Sequence, residues 1–217
     1  VSMNIKIPHN FIAVEGPIGV GKTTLARKLS EVLGSELILE EAEENPFLER
    51  FYQDPKSGAL PTQLYFLFQR ARQLQEVRQS DMFTPLRVAD YLMDKDRLFA
   101  RSTLDPEELR LYEQVFDNLT IDAPKPDLVI YLQAPVTVLA ERIKKRGRRE
   151  ESPISQEYLQ TICDAYTDFF YYYHESPLLI VNASGIDLVE NEKDFEMLLE
   201  QIHATTSGRN YFNPHPV

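Results

Sequence analysis

The sequence predicts an α/β fold in which a five-stranded parallel sheet lies between two layers of helices. Three observations predict it. Short β-prone runs alternate along the chain with longer helical patterns, as in a sheet built from strand–helix–strand units. The runs are rich in Val, Ile and Leu without strict polar alternation, which suits strands covered on both faces. The first run passes through a glycine-rich turn straight into a helix-prone stretch.

Strands are expected at residues 11–14, 37–40, 86–89, 128–132 and 178–181. The first helix follows the glycine-rich turn, at about residues 21–33. Pro61 suits the start of a helix running to about Gln79, because a first-turn proline gives up no needed N–H. Pro135 opens a helix over about 136–146, with Val138, Leu139 and Ile143 on one face. Ser155, followed by Tyr158 and Leu159, begins another that reaches about Tyr173, and a last helix covers about 192–204. The tail at 205–217, with Gly, Asn and two prolines, reads as extended and either docked or mobile.

With 217 residues, 43% of them hydrophobic, the chain reads as a single domain spanning 1–217 with no internal repeat. A net charge of −11 would repel a nucleic-acid backbone, so no nucleic-acid polymer is expected as partner. Cys163 is the single cysteine, and no apolar run approaches the ~18 residues of a membrane span. No basic-then-apolar leader pattern precedes the first strand, so a reduced, soluble, cytoplasmic protein without a membrane partner is expected.

Gly16-Pro17-Ile18-Gly19-Val20-Gly21-Lys22-Thr23 matches the phosphate-binding loop G-x-x-x-x-G-K-[ST] in full, in the strand–loop–helix setting that it requires. Its glycines let backbone N–H groups turn inward, Lys22 can reach outer phosphates, and Thr23, with Thr24 behind it, opens a helix whose positive end faces the anion. Residues 16–24 therefore form the expected ATP site, with Lys22 catalytic and Thr23 a ligand for Mg2+.

In an open parallel sheet the ligand sits beyond the C-terminal strand ends, so polar residues there carry extra weight. After the second strand comes Glu40-Glu41-Ala42-Glu43-Glu44, in which Glu40 and Glu41 stand nearest the strand end. A carboxylate there can accept the proton of an attacking hydroxyl, while Glu43 and Glu44 read as solvated loop charge. Asp90 ends the third strand and is the expected second metal-side residue with Thr23, although such an Asp also serves as a cap or turn residue. Asp94, Asp96 and Arg97 follow in a polar loop or helix start. Residues 142–151 carry six basic side chains in an acidic protein. Part of that run is good helix ending, and the rest suits an arginine lid, at about 142–153, closing over a triphosphate.

These motifs, in this order, resemble the deoxynucleoside kinase family of the deoxycytidine, deoxyguanosine and deoxyadenosine kinase group, in its bacterial form. The resemblance runs from about Phe11 to about Glu200. The family opens on Glu-Gly-x-Ile-Gly-x-Gly-Lys-[Ser/Thr], met by Glu15 to Thr23, and so implies a P-loop kinase-like three-layer fold. Its catalytic glutamate follows the second strand, which implies Glu41 as the base, with Glu40 as the alternative. Tyr52 matches the tyrosine for the sugar 3′-hydroxyl and Gln63 the glutamine that pairs with the base. Arg-x-Arg-x-x-Glu is met by Arg146, Arg148 and Glu151, implying a phosphate clamp and a second 3′-hydroxyl contact. Asp96 and Phe99 would shape the base pocket.

One departure stands out. Where the family usually reads [Asp/Glu]-Arg-Ser, this chain reads Asp90-Tyr91-Leu92, so the role of that arginine is either absent or supplied by another group, such as Lys95 or Arg97.

The resemblance implies Mg2+-dependent transfer of the ATP γ-phosphate to the 5′-hydroxyl of a deoxynucleoside, with deoxyadenosine or deoxyguanosine preferred, in nucleotide salvage. It also implies a homodimer through helices, and a donor base near residues 182–187. A nucleoside monophosphate kinase such as a thymidylate kinase is the nearest rival, but it needs cationic groups for the acceptor phosphate. A guanine-nucleotide switch needs Asn-Lys-x-Asp, and Asn191-Glu192-Lys193-Asp194 has the wrong order.

Overall fold

The structure is a computed structural model, and it describes residues 7–79, 86–120, 123–148, 151, 153–185 and 191–213. Parts of the expected lid and tail, residues 149–150, 152 and 214–217, lie outside the described residues, as do 186–187 of the expected donor-base loop.

The parallel sheet is present, with six strands rather than five. Its order is β2 (Glu36–Ile38), β3 (Arg87–Ala89), β1 (Phe11–Glu15), β4 (Leu128–Gln133), β5 (Leu178–Asn182) and β6 (Arg209–Phe212), and every pairing is parallel. β6 is the addition, formed by part of the extended tail, which pairs Leu178 with Arg209 through Val181 with Phe212. As an edge strand with one neighbour it needs little apolar pattern, and only Phe212 of its four residues is buried.

β1 runs through the middle of the sheet and alternates cleanly. Ile12 and Val14 pack into a core with α1 (Lys22–Leu33), α6 (Val136–Arg146) and α8 (Glu192–Ala204). Phe11 and Ala13 face the other way, toward α3 (Pro55–Gln79), α4 (Lys95–Thr103), α5 (Pro106–Thr120) and α7 (Gln156–Tyr172). Glu15 has the same parity as Phe11 and Ala13, so β1 ends by presenting a carboxylate under the second helical layer.

Two helical expectations change. The helix expected to begin at Pro61 begins at Pro55, directly after the short α2 (Leu48–Gln53), and Pro61 lies inside it. A proline there leaves the carbonyl four residues earlier without a partner. That carbonyl belongs to Ser57, and Arg50 Nη2 donates to it at 2.7 Å. The segment after Asp94, expected as a polar loop or helix start, is the helix α4, and α5 follows it. Asp105 Oδ1 accepts the N–H groups of Glu107 and Glu108, both at 2.9 Å, so Asp105-Pro106 is a helix-start signal that the sequence carried. Ser155 caps α7 through the N–H of Tyr158, and Asn191 caps α8.

Among the described residues, no helix is long and apolar enough to cross a membrane.

Candidate active site

The glycine-rich loop leaves the end of β1 with Gly16 at φ 151, where a Cβ would stand 2.5 Å from the carbonyl oxygen of Leu132. Only glycine lets the loop turn that close to β4. Gly21, at φ 104, then serves as N-cap of α1. Lys22 Nζ donates to the carbonyls of Gly16, at 2.7 Å, and Pro17, at 3.3 Å, folding the ammonium across the loop. Burial, with the charge of Lys95 next, lowers its pKa to about 8. Arg142 ties this loop to the end of β5, donating to the carbonyls of Val20 at 3.3 Å and Ala183 at 2.8 Å.

The Thr23 hydroxyl donates to Asp90 Oδ2 at 2.5 Å, and Asp90 Oδ1 accepts the N–H of Glu40 at 2.7 Å. A hydroxyl and a carboxylate are hard oxygen donors, which fit magnesium. Among the described residues no group of three or more His, Cys, Asp or Glu could hold a metal ion alone. A magnesium ion here would therefore rely on phosphate oxygens and water for its other ligands, as that ion commonly does.

A cavity of about 440 Å³ opens beside this pair. The loop contributes Ile18, Gly19, Lys22 and Thr23; Glu40 and Glu41 follow β2; Phe51 and Tyr52 come from α2; Thr62, Gln63, Phe66 and Arg70 come from α3. Lys95 and Phe99 enter from α4, Tyr158 from α7, and Arg146, Arg148 and Glu151 from the lid segment.

Charge is concentrated at its floor. Arg70, 2% exposed, forms ion pairs with Glu40 through Nη2 and with Asp96 through Nη1. The rings of Phe66 and Tyr91 lie 4.9 and 5.4 Å from its guanidinium carbon, so apolar faces hold a cation that carboxylates neutralise. Lys95 Nζ lies 3.0 Å from Glu40 Oε2. Burial alone would raise the pKa of Glu40, but Arg70 and then Lys95 outweigh it and hold the carboxyl well below the usual range. Glu41, the first choice for the base from sequence, is exposed, and among the described residues its carboxylate accepts from Gln69 Nε2, at 3.5 Å.

The question left at Tyr91 is answered by position. Its hydroxyl donates to Gln73 at 2.9 Å and its ring supports Arg70, so it contributes no cation. Arg97 pairs with Asp117 and stacks over Phe116, away from the cavity. Of Lys95 and Arg97, it is Lys95 that reaches the Glu40 carboxylate, alongside Arg70.

On the lid side, Arg146 holds Glu151 in a fork, with Nη2 2.6 Å from both oxygens and Nε 3.1 Å from one. Arg148 pairs with Glu43 at 2.9 Å. Burial, then Tyr158 and Glu151, pushes the Tyr52 hydroxyl well above its ordinary pKa, so it stays a neutral donor.

Of the residues expected from sequence, Lys22, Thr23, Glu41, Tyr52, Gln63, Asp90, Phe99, Arg146, Arg148 and Glu151 all line this one cavity. Asp96 does not line it and reaches it through Arg70. Gly16, Pro17, Val20, Gly21 and Thr24 do not line it either. Arg70, Thr62 and Tyr158 were missed. Arg70 had a signal: it lies seven residues after Gln63, two helical turns along the same face of α3. Thr62, 1% exposed, has a hydroxyl with no hydrogen-bond partner among the described residues.

Comparison with known proteins agrees with this geometry. The family model described as deoxynucleoside kinase matches residues 12–207. The chain is 38% identical over 200 residues to a deoxyguanosine kinase of Bacillus subtilis, covering 88% of this chain and 95% of that one. It is 31% identical over 205 residues to a deoxyadenosine kinase of Lactobacillus acidophilus, covering 88% and 94%. The structure of a deoxyadenosine kinase from M. mycoides with bound dATP superposes with a TM-score of 0.77 at 29% identity, over 89% of this chain and 99% of that one. With a phosphate-loop motif, a charged cavity beside it and these relatives in agreement, the chain belongs to the deoxynucleoside kinase family and is an enzyme of that kind.

Proposed function

We propose that the enzyme transfers the γ-phosphate of ATP to the 5′-hydroxyl of a purine deoxynucleoside, deoxyguanosine or deoxyadenosine, with magnesium, as a salvage step in the cytoplasm. The observation that carries the reading is the Glu40 carboxylate, ionised by Arg70 and Lys95 and joined through its backbone N–H to the Thr23–Asp90 pair. It stands between the phosphate loop and the acceptor cavity, so we place the base at Glu40 and not at Glu41.

In the reaction, the 5′-oxygen forms a bond to the γ-phosphorus while the bond from that phosphorus to the β–γ bridging oxygen breaks. The proton of the hydroxyl passes to Glu40, leaving ADP and a deoxynucleoside monophosphate. Because phosphoryl transfer has a loose transition state, positioning and charge supply most of the rate. Lys22 and the loop amides hold donor phosphates, and Lys95, Arg146 and Arg148 balance charge on the transferred group. Thr23 and Asp90 would hold magnesium, which neutralises phosphate charge when bound. Tyr52 and Glu151 would contact the 3′-hydroxyl. Gln63 offers a base edge both a donor and an acceptor, and Arg70, fixed by Asp96, adds donors beside it. Names of the relatives, two of them deoxyguanosine and deoxyadenosine kinases, support the purine preference.

A homodimer through α4 and α7 belongs to the same proposal. The groove between them carries Leu98, Phe169 and Tyr172, and Tyr172 is 75% exposed.

The test is turnover of four deoxynucleosides, their ribonucleoside counterparts and thymidine monophosphate, with ATP and magnesium. Fastest turnover of deoxyguanosine or deoxyadenosine is expected. No turnover of any deoxynucleoside, or fastest turnover of thymidine monophosphate, would refute the reading.

A further inference from the structure

Glu15 is fully buried at the end of β1 and is claimed by three donors. Its Oε1 accepts the N–H of Gly16, the first glycine of the phosphate loop, and the hydroxyl of Tyr166 on α7, each at 2.8 Å. Its Oε2 accepts the N–H of Leu92, between β3 and α4, at 2.8 Å, and Oε1 also lies 3.9 Å from Lys95 Nζ. One carboxylate thus joins the donor loop, the segment that replaces the family's arginine motif, and the acceptor-side cation.

A buried carboxylate is costly unless it is bonded and paired. Tying three backbone segments does not require charge, whereas holding an ammonium does. Lys95 sits on a flexible stem between two anions, Glu15 at 3.9 Å and Glu40 at 3.0 Å, with the Phe99 ring 5.8 Å away. Glu15 touches no solvent and lies outside the cavity lining, so it meets Lys95 from the side away from the cavity contents. Building on the proposed reaction, we infer that Glu15 is a positioning residue that anchors Lys95 beside the transferred phosphoryl group, and so sets the donor loop and the acceptor-side cation in one register.

A double-mutant cycle tests this. Glu15→Gln keeps the shape and removes the charge; Lys95→Met removes the group on which Glu15 acts. With Lys95 present, Glu15→Gln lowers kcat by about 30-fold or more and changes both KM values by less than about threefold. In the Lys95→Met background the same change lowers kcat by less than about threefold, because two residues acting as one unit are not additive. An equal loss in both backgrounds overturns the inference, since a merely structural tie is needed whether or not the lysine is there.

Tyr166→Phe guards against misfolding of Glu15→Gln. It removes one bond to Glu15 and keeps the ring that stacks on Tyr131 and Phe170. It should lower kcat about three- to tenfold with Lys95 present and leave it unchanged without it. Again, equal losses in the two backgrounds overturn the inference. Wild-type turnover is measured first: its absence would refute the proposed function and this inference with it, whereas additive losses in an active enzyme refute this inference alone.

Discussion

Lys95 Nζ and Glu40 Oε2 stand 3.0 Å apart in a chain that has tyrosine where its family resemblance leads one to expect arginine. The cation is supplied four residues later, from the first turn of α4, and meets the same carboxylate. If that carboxylate is the base, Glu40→Gln should lower kcat by about 100- to 10,000-fold, the usual range for a lost proton acceptor. Glu41→Gln, whose side chain is exposed and weakly bonded, should change kcat by less than about threefold. Steady-state kinetics on the two variants, at saturating ATP and acceptor, decides between them.

The pH dependence of Glu40 follows from the same contacts. Its pKa is depressed, by Arg70 first among the charges, so the group is ionised well below neutral pH. A carboxyl of this kind contributes stability that is present above its unfolded value of about 4.3 and is lost as pH falls through the folded one. The kcat/KM profile of wild type should therefore show no acid limb from this residue between about pH 5 and 7. Arg70→Met should bring such a limb into that window, measured as a fall in kcat/KM below about pH 6.

Lys22 behaves in the opposite sense. Burial lowers it to about 8, so between that value and about 10.4 the unfolded chain binds more protons than the folded one. Stability of the unliganded enzyme should thus rise with pH through that window, relative to Lys22→Met. Donor phosphates favour the charged form, so ATP binding at about pH 8.5 should take up at least roughly half a proton. Calorimetry in two buffers of different ionisation enthalpy measures this uptake. Lys22→Met should abolish it.

The parts of this enzyme visible in its sequence are those written locally. Gly16 to Thr23 encodes the donor loop because turn, charge and helix start are contiguous, and β4 and β5 are evident as unbroken apolar runs. Arg146, Arg148 and Glu151 follow one another within a single turn and its exit. Arg70, whose one signal was its helical spacing from Gln63, and Glu15 were not assigned roles, because each gains its contacts from distant segments, as Glu15 does from Tyr166, 151 residues away. The choice between Glu40 and Glu41 was open for a similar reason. Both lie in the loop past β2, and only the packing of α3 and α4 shows that Glu40 is the one that meets Arg70 and Lys95. β6 was missed because an edge strand with one buried residue is hard to tell from a tail.

Gly58 makes a further test of how the cavity is shaped. A Cβ there would lie 2.8 Å from both Cα and N of Phe51, so α3 can approach α2 only with glycine at this place. Gly58→Ala should cost about 1–3 kcal/mol of stability as the two helices are forced apart. Phe51 and Tyr52 line the cavity on the side proposed for the acceptor, so the KM for the deoxynucleoside should rise while that for ATP is unchanged. Thermal unfolding and two KM measurements check both halves.

The Arg146–Glu151 fork places two expected substrate contacts in each other's hands. On the proposed reading, a bound donor phosphate would give the guanidinium a new anion and free the carboxylate to accept the sugar 3′-hydroxyl. Glu151→Gln removes the charge from both arrangements. It leaves Arg146 without its carboxylate partner, so the KM for ATP should fall or stay level. It also weakens a hydrogen bond that a charged acceptor makes worth about 1.5–3 kcal/mol, equivalent to roughly 10- to 100-fold. The wild-type preference for a deoxynucleoside over its 2′,3′-dideoxy analogue, read as a ratio of kcat/KM values, should shrink by about that factor. A ratio unchanged by the substitution would remove Glu151 from the acceptor site and leave it only as the partner that holds Arg146.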